Sequence, residues 1–149
     1  MKIMPDVVGV GNIVRVLATE NTRDAARKML DRKKSCLVVV DQNGLLQGIV
    51  TDRDFTRVLV VGGSAMEDVM ISDLMTADPD TLQPDDHPRA ALDLMELRGF
   101  RHLPVVDAKG HALAVVTILD LYDALMRANQ EVMAKTQQFL FGERYNPDL

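Results

Sequence analysis

The sequence predicts a mixed α+β (α/β) fold in which one unit is used twice, and three observations predict it. The first is self-similarity. "ARKMLDRKKSCLVVVDQNGLLQGIVTDRDF", from Ala26, lies without a gap over "LDLMELRGFRHLPVVDAKGHALAVVTILDL", from Leu92, an offset of 66. Met29 meets Met95, Leu37 meets Leu103, Gly44 meets Gly110, and Thr51 and Asp54 meet Thr117 and Asp120. The second is that each copy carries apolar runs on either side of "DQNG" or "DAKG", where Asp at the first place and Gly at the fourth suit a tight turn between antiparallel strands. The third is the helical spacing of apolar residues before and after each hairpin. Neither copy, at about 60 residues, buries much alone, so the two are expected to pack sheet to sheet about a pseudo-twofold axis. Such an axis creates two related clefts.

The first unit is expected over residues 8–62. "ATENT" caps its opening helix, whose Ala25, Met29 and Leu30 turn inward; "LVVVD" and "LQGIVT" form the hairpin, and "TDRDF" opens a second helix that ends at Gly-Gly-Ser. Residues 63–71 form a connector, with Val69, Met70, Leu74 and Met75 spaced for a short amphipathic helix at its end. The second unit spans 72–128. There "PDDHP" offers an Asp cap with Pro88 in the first helical turn, Ala91, Leu94 and Met95 face inward, and "LPVVD" and "ALAVVT" pair as strands. Residues 129–149 form a C-terminal helix extension and tail. Leu125, Ala128, Val132 and Phe139 recur along it at helical spacing, broadened by Met126, Met133 and Leu140. That stripe needs cover, from its own module or from a second chain. "GERYNPDL" begins with a helix-stopping Gly and reads as a loose tail.

Composition narrows the function classes. With 149 residues, 47% hydrophobic and 26% charged, the chain is an ordinary globular protein. Lys and Arg total 17 against 22 Asp and Glu, a net charge of -5, which disfavours nucleic acid or an anionic membrane surface as the main partner. The single cysteine, Cys36, lies in an apolar run, so no disulfide within the chain is available and a reducing compartment is expected. No signal region and no apolar stretch of roughly 20 residues is present, so no membrane span is expected and the location is read as cytoplasmic. His87, His102 and His111 lack ligand spacing, so no metal is expected. "GVG" at Gly9 to Gly11 lacks the third glycine of a dinucleotide loop. Nothing supplies a convincing general base or metal cluster, so no catalytic residue is assigned and the chain is read as not an enzyme.

Thr51 with Asp54, and Thr117 with Asp120, admit two readings. A hydroxyl and a carboxylate three residues apart make a capping box. The same carboxylate can accept the vicinal hydroxyls of a ribose, while helix-start N–H groups suit phosphate or ribose oxygens. One occurrence favours the cap; recurrence in register favours a site.

Carried by "GIVTDRD", "AVVTILD", "RHLPVVD" and "ISDLMT", the chain from about Val8 to Met126 resembles a tandem pair of cystathionine-β-synthase (CBS) domains, also called a Bateman module. Its wording is similar to that of small stand-alone bacterial proteins of this family. The resemblance implies β-α-β-β-α units, an adenine nucleotide bound in the clefts as a regulatory ligand with no catalytic cofactor, assembly into a homodimer, and signalling to an unidentified regulated protein. It also implies that Arg101-His102 face the phosphate end of a cleft, and that Thr81 lies beside the base, where the first copy has Arg15. Arg53 is a further phosphate candidate. At the place of Arg101-His102 the first copy has Ser35-Cys36, which offers hydrogen bonding without charge. The Asp120 cleft, credited with Arg101-His102, is therefore expected to hold phosphate more tightly than the Asp54 cleft. Ala114 stands where the signature has Gly, as Gly48 does, so the backbone approach there is expected to differ. AMP, ADP, ATP, NAD(H), S-adenosylmethionine and cyclic dinucleotides all remain open as ligands, and a dimeric scaffold with vestigial clefts is the alternative function.

Overall fold

Two turns of the same chemistry organise the chain, which the computed structural model describes over residues 1–61 and 68–141. Asp41 Oδ1 accepts the N–H groups of Asn43 and Leu45 at 2.8 and 3.0 Å, and Asp107 Oδ1 those of Lys109 and His111 at 2.9 Å each. Gly44 and Gly110 close the turns at φ of 83° and 92°, a region costly for any residue with a Cβ. They join β2 (Cys36–Val40) to β3 (Leu46–Thr51) and β5 (His102–Val106) to β6 (Ala112–Thr117), both antiparallel. Strand β1 (Arg15–Val16) adds in parallel to β2, and β4 (Thr76–Ala77) adds antiparallel to β3, giving a sheet of order β1-β2-β3-β4. In the second unit the matching first strand shrinks to a bridge between Leu82 and Val105. The cause is Pro104. Its counterpart Val38 donates its N–H to Val14 O at 3.0 Å, whereas proline has no N–H to give.

Helices complete two β-α-β-β-α units: α1 (Thr22–Asp31), α2 (Asp52–Val61), the single turn α3 (Ile71–Leu74), α4 (Pro88–Arg98) and α5 (Ile118–Phe141). Asn21 caps α1 by accepting from Asp24 N. The cap of α4 is His87, through Nδ1, and not an aspartate as the sequence suggested; Asp86 instead accepts from Gln83 N in the loop before it. Leu30 also departs from expectation, pointing to solvent at 78% exposure while Ala25 and Met29 are buried.

The first core holds Val16, Ala25, Met29, Leu37, Val50 and Phe55, closed by Ile71 and Leu74. The second holds Leu92, Met95, Leu103, Val105, Val116 and Leu121, closed by Ile3. Residues 1–7 had no assigned place in the sequence reading, yet Ile3 is fully buried and donates its N–H to Asp86 O at 2.9 Å. Each unit is thus closed by the segment that precedes the other.

The two units meet through reciprocal bonds. Leu46 N donates to Gly110 O at 3.0 Å, and Ala112 N, its counterpart, to Gly44 O at 3.3 Å. Val38, Val40 and Ala112 form the apolar layer between the units, as pseudo-twofold packing requires. Helix α5 does not fold back on its own module beyond this point. Its residues 129–141 are exposed throughout, so the own-module reading of the apolar stripe holds at Leu125, packed against the second core, and not at Val132, Met133, Phe139 and Leu140. The Gly-Gly-Ser end of the first unit, the connector up to 67 and the tail 142–149 lie outside the described residues.

Candidate functional site

Where β3 runs into α2, the carboxylate of Asp54 folds back onto the strand end. Its Oδ2 accepts from Thr51 N at 2.9 Å and from Thr51 Oγ1 at 3.4 Å. Its Oδ1 accepts from Arg57 Nη2 at 2.9 Å, one turn along α2. Asp54 is 6% exposed, so this carboxylate is buried and engaged at both oxygens. Beside it opens a cavity of about 210 Å³, walled on one side by Thr51, Arg53, Asp54 and Arg57 and on the other by Phe100, Arg101 and His102, with Asp80 at its margin.

This grouping corrects the expected arrangement. Arg101 and His102, expected at the Asp120 cleft alone, line the cavity of Asp54 across the pseudo-twofold axis, while His102 also pairs with Thr117 of its own unit. The antiparallel hairpins bring the start of β5 against the first unit, where Ser35 Oγ and His102 Nε2 are hydrogen-bonded at 2.8 Å. Burial pushes the His102 imidazole below its usual pKa, and the Arg101 charge adds to that, while Asp52 and Asp120 oppose it. Asp52 and Asp120 both act on His102, so this ring stands between the two helix starts.

In the second unit, Asp120 Oδ2 accepts from Thr117 N at 2.8 Å, and Asp120 N donates to Thr117 Oγ1 at 3.1 Å, completing both halves of a capping box. No bond to Oδ1 of Asp120 is present among the described residues. Thr117, Asp120, Ser35 and Thr81 stand outside the cavity of Asp54, and Thr81 is exposed. Arg15, at the place matching Thr81, spans the units, its Nη2 donating to Ala112 O at 3.1 Å.

The CBS-domain profile matches residues 7–61 and 71–127. The chain belongs to the CBS-domain family. It is 37% identical over 105 residues to the CBS domain-containing protein CBSCBSPB2 of Arabidopsis thaliana, covering 70% of this chain and only 19% of that much longer protein. It is 33% identical over 119 residues to an uncharacterised 17.7 kDa protein of Acidianus ambivalens, covering 80% of this chain and 71% of the relative. Among solved structures, CBSX2 of Arabidopsis thaliana in complex with AMP superposes with a TM-score of 0.73 at 25% identity, covering 83% of this chain and 96% of that one.

In this CBS pair the sequence reading missed Arg57, Asp80 and Phe100 as cavity residues. Arg57 carried a signal: it stands at i+3 from Asp54 on a helix, the spacing of an ion pair. Phe100 and Asp80 carried none, because they reach the cavity from the other unit. The Ala114 methyl, expected to alter the second cleft, is buried in the second core. Among the described residues no three His, Cys, Asp or Glu side chains are grouped to hold a metal ion, and no helix is long and apolar enough to cross a membrane.

Proposed function

We propose that this CBS pair is a non-catalytic sensor of an adenosine-containing nucleotide, housed in a reducing cytoplasm, that forms a homodimer and passes a ligand-dependent change of shape to a regulated partner. One observation carries the reading: the Asp54 cavity gathers a buried carboxylate at a helix start, suited to a ribose diol, with the guanidinium groups of Arg53, Arg57 and Arg101, suited to phosphate. The AMP complex of the similar CBSX2 supports the choice of adenine. A guanidinium fork matches phosphate oxygens in pairs, whereas the ribose is selected by the two oxygens of one carboxylate. Binding links the helix start of one unit to the strand start of the other, so it changes how the units sit against each other and hence what the outer helices present to a partner.

The test is a thermal-shift series with AMP, ADP, ATP, NAD, S-adenosylmethionine and adenosine, followed by mass spectrometry of any ligand released from freshly purified protein. A specific nucleotide raises the melting temperature in proportion to the logarithm of its concentration, and it is recovered unchanged after incubation. The scaffold reading has its own observation, the full engagement of Asp54 without a ligand. Absence of any shift across the series would establish it instead.

A further inference from the structure

Resting on the nucleotide reading above, we infer that Arg57 is a latch on the Asp54 carboxylate that makes this cleft select phosphorylated nucleosides over free ones. The carboxylate that would take the ribose is already occupied. One oxygen holds the end of β3 through Thr51 N, and the other holds Arg57 Nη2 at 2.9 Å. A ribose diol reaches both oxygens only when Arg57 leaves. The capping bond has a geometric lone pair to spare, since a carboxylate oxygen accepts more than one donor, but the guanidinium stands where the second hydroxyl must come.

What Arg57 does on leaving sets the preference. Its side chain is 63% exposed, so it swings without disturbing the core, and it lines the same cavity as Arg53 and Arg101. A nucleoside breaks the ion pair and gives the guanidinium nothing in return. A nucleoside phosphate breaks the same pair and supplies a dianion on which Arg57 re-forms two parallel hydrogen bonds. Ribose capture and phosphate capture are thereby coupled through one side chain. The repeat offers an internal contrast: the residue 66 further on is Asp123, so Asp120 has no such latch.

The experiment is calorimetric titration with AMP and with adenosine, carried out in an Asp120→Asn background so that only the Asp54 cleft has its carboxylate, with Arg57, Arg57→Ala and Arg57→Lys compared. With Arg57→Ala, AMP is expected to weaken about three- to tenfold, the solvent-exposed share of a charged hydrogen bond, while adenosine tightens, so that the AMP-to-adenosine ratio falls by more than about tenfold. Arg57→Lys keeps the charge and recovers part of the ratio. Melting temperatures measured alongside establish that each variant is folded. A ratio unmoved by Arg57→Ala, with AMP still bound, overturns the latch and leaves the sensor reading standing. Failure of both ligands to bind when Arg57 is present overturns both.

Discussion

His102 faces both helix starts, and its protonation follows from what surrounds it. Burial holds the imidazole below its usual pKa of 6.5 with help from Arg101, against the pull of Asp52 and Asp120. The folded state therefore binds the proton less readily than the unfolded chain, whose histidine titrates at the ordinary value. Protons favour the unfolded state as pH falls through 6.5, so the contribution of His102 to stability is fully present above that value and is lost below it. Melting temperature is expected to drop between about pH 7 and 5.5, and His102→Gln, which keeps a partner for Ser35 Oγ, is expected to flatten that drop. An equal slope in the variant would place the acid sensitivity on another group. Cys36, the neighbouring thiol, is pushed up to about 12 by burial together with Asp54 and Asp52, so it stays protonated and inert. That much was legible, because a cysteine inside "SCLVVV" has no other place than the sheet. The two motif aspartates were legible as helix-start carboxylates, but the state of Asp54 was not: whether Arg57 reaches back or outward is a rotamer, which spacing does not determine.

At the level of elements, the hairpins and their helices followed from the repeat, whereas the short pieces that close each unit did not. Strand β4 is two residues and the N-terminal turn of residues 3–7 has no periodicity to read; both are held by tertiary contacts alone. Gly48 is where this matters. A Cβ there would lie 2.7 Å from Thr76 O and 2.8 Å from Met75 Sδ, so β4 owes its place to the missing side chain. Gly48→Ala is expected to push β4 off the sheet at a cost of about 1–3 kcal/mol, measured by chemical denaturation. Ala114, its counterpart, already carries the methyl group within the second core. Stability unchanged in Gly48→Ala would mean that β4 adds little to the first unit. Helix α5 is the other element the sequence marked without resolving. Its last thirteen described residues, 129–141, expose Val132, Met133, Phe139 and Leu140, and a segment of that length is marginal as an isolated helix in water. Truncation after Asn129 is expected to leave the melting temperature of the monomer unchanged, because the removed residues as far as 141 are exposed, and to shift a homodimer toward monomer in sedimentation. A dimer of equal strength would put the interface on the module helices instead.

The molecule as a whole is governed by the pseudo-twofold axis, which pairs the turns reciprocally and makes the Asp54 cleft composite. The sequence revealed two copies and their internal register, but a repeat of 66 is the same whether a strand start serves the helix of its own unit or that of the other. Only the packing of the two hairpins against each other places Arg101 and His102 opposite Asp54. On that count phosphate is expected to prefer the Asp54 cleft, the opposite of the order the sequence suggests. Asp54 has Arg53, Arg57 and Arg101 around it, and shifting each by the repeat gives Leu119, Asp123 and Ser35 as the counterparts for Asp120. Lys33 and Lys34 oppose this difference, since they take the places of Gly99 and Phe100, but Lys34 Nζ is already held by Asn12 Oδ1 at 2.7 Å. A lysine is also a point charge without the planar fork that grips phosphate in pairs. A charged hydrogen bond of roughly 1.5–3 kcal/mol separates two sites by about ten- to a hundredfold, so AMP is expected to bind in two phases. Asp54→Asn, which keeps a side-chain acceptor for the helix cap, should remove the tighter phase, and Asp120→Asn the weaker one. Arg101→Ala should weaken the tighter phase for AMP and leave adenosine nearly unchanged. Retention of the tighter phase in Asp54→Asn together with its loss in Asp120→Asn would show that the lysines, acting from the first unit on the Asp120 cleft, outweigh the three arginines.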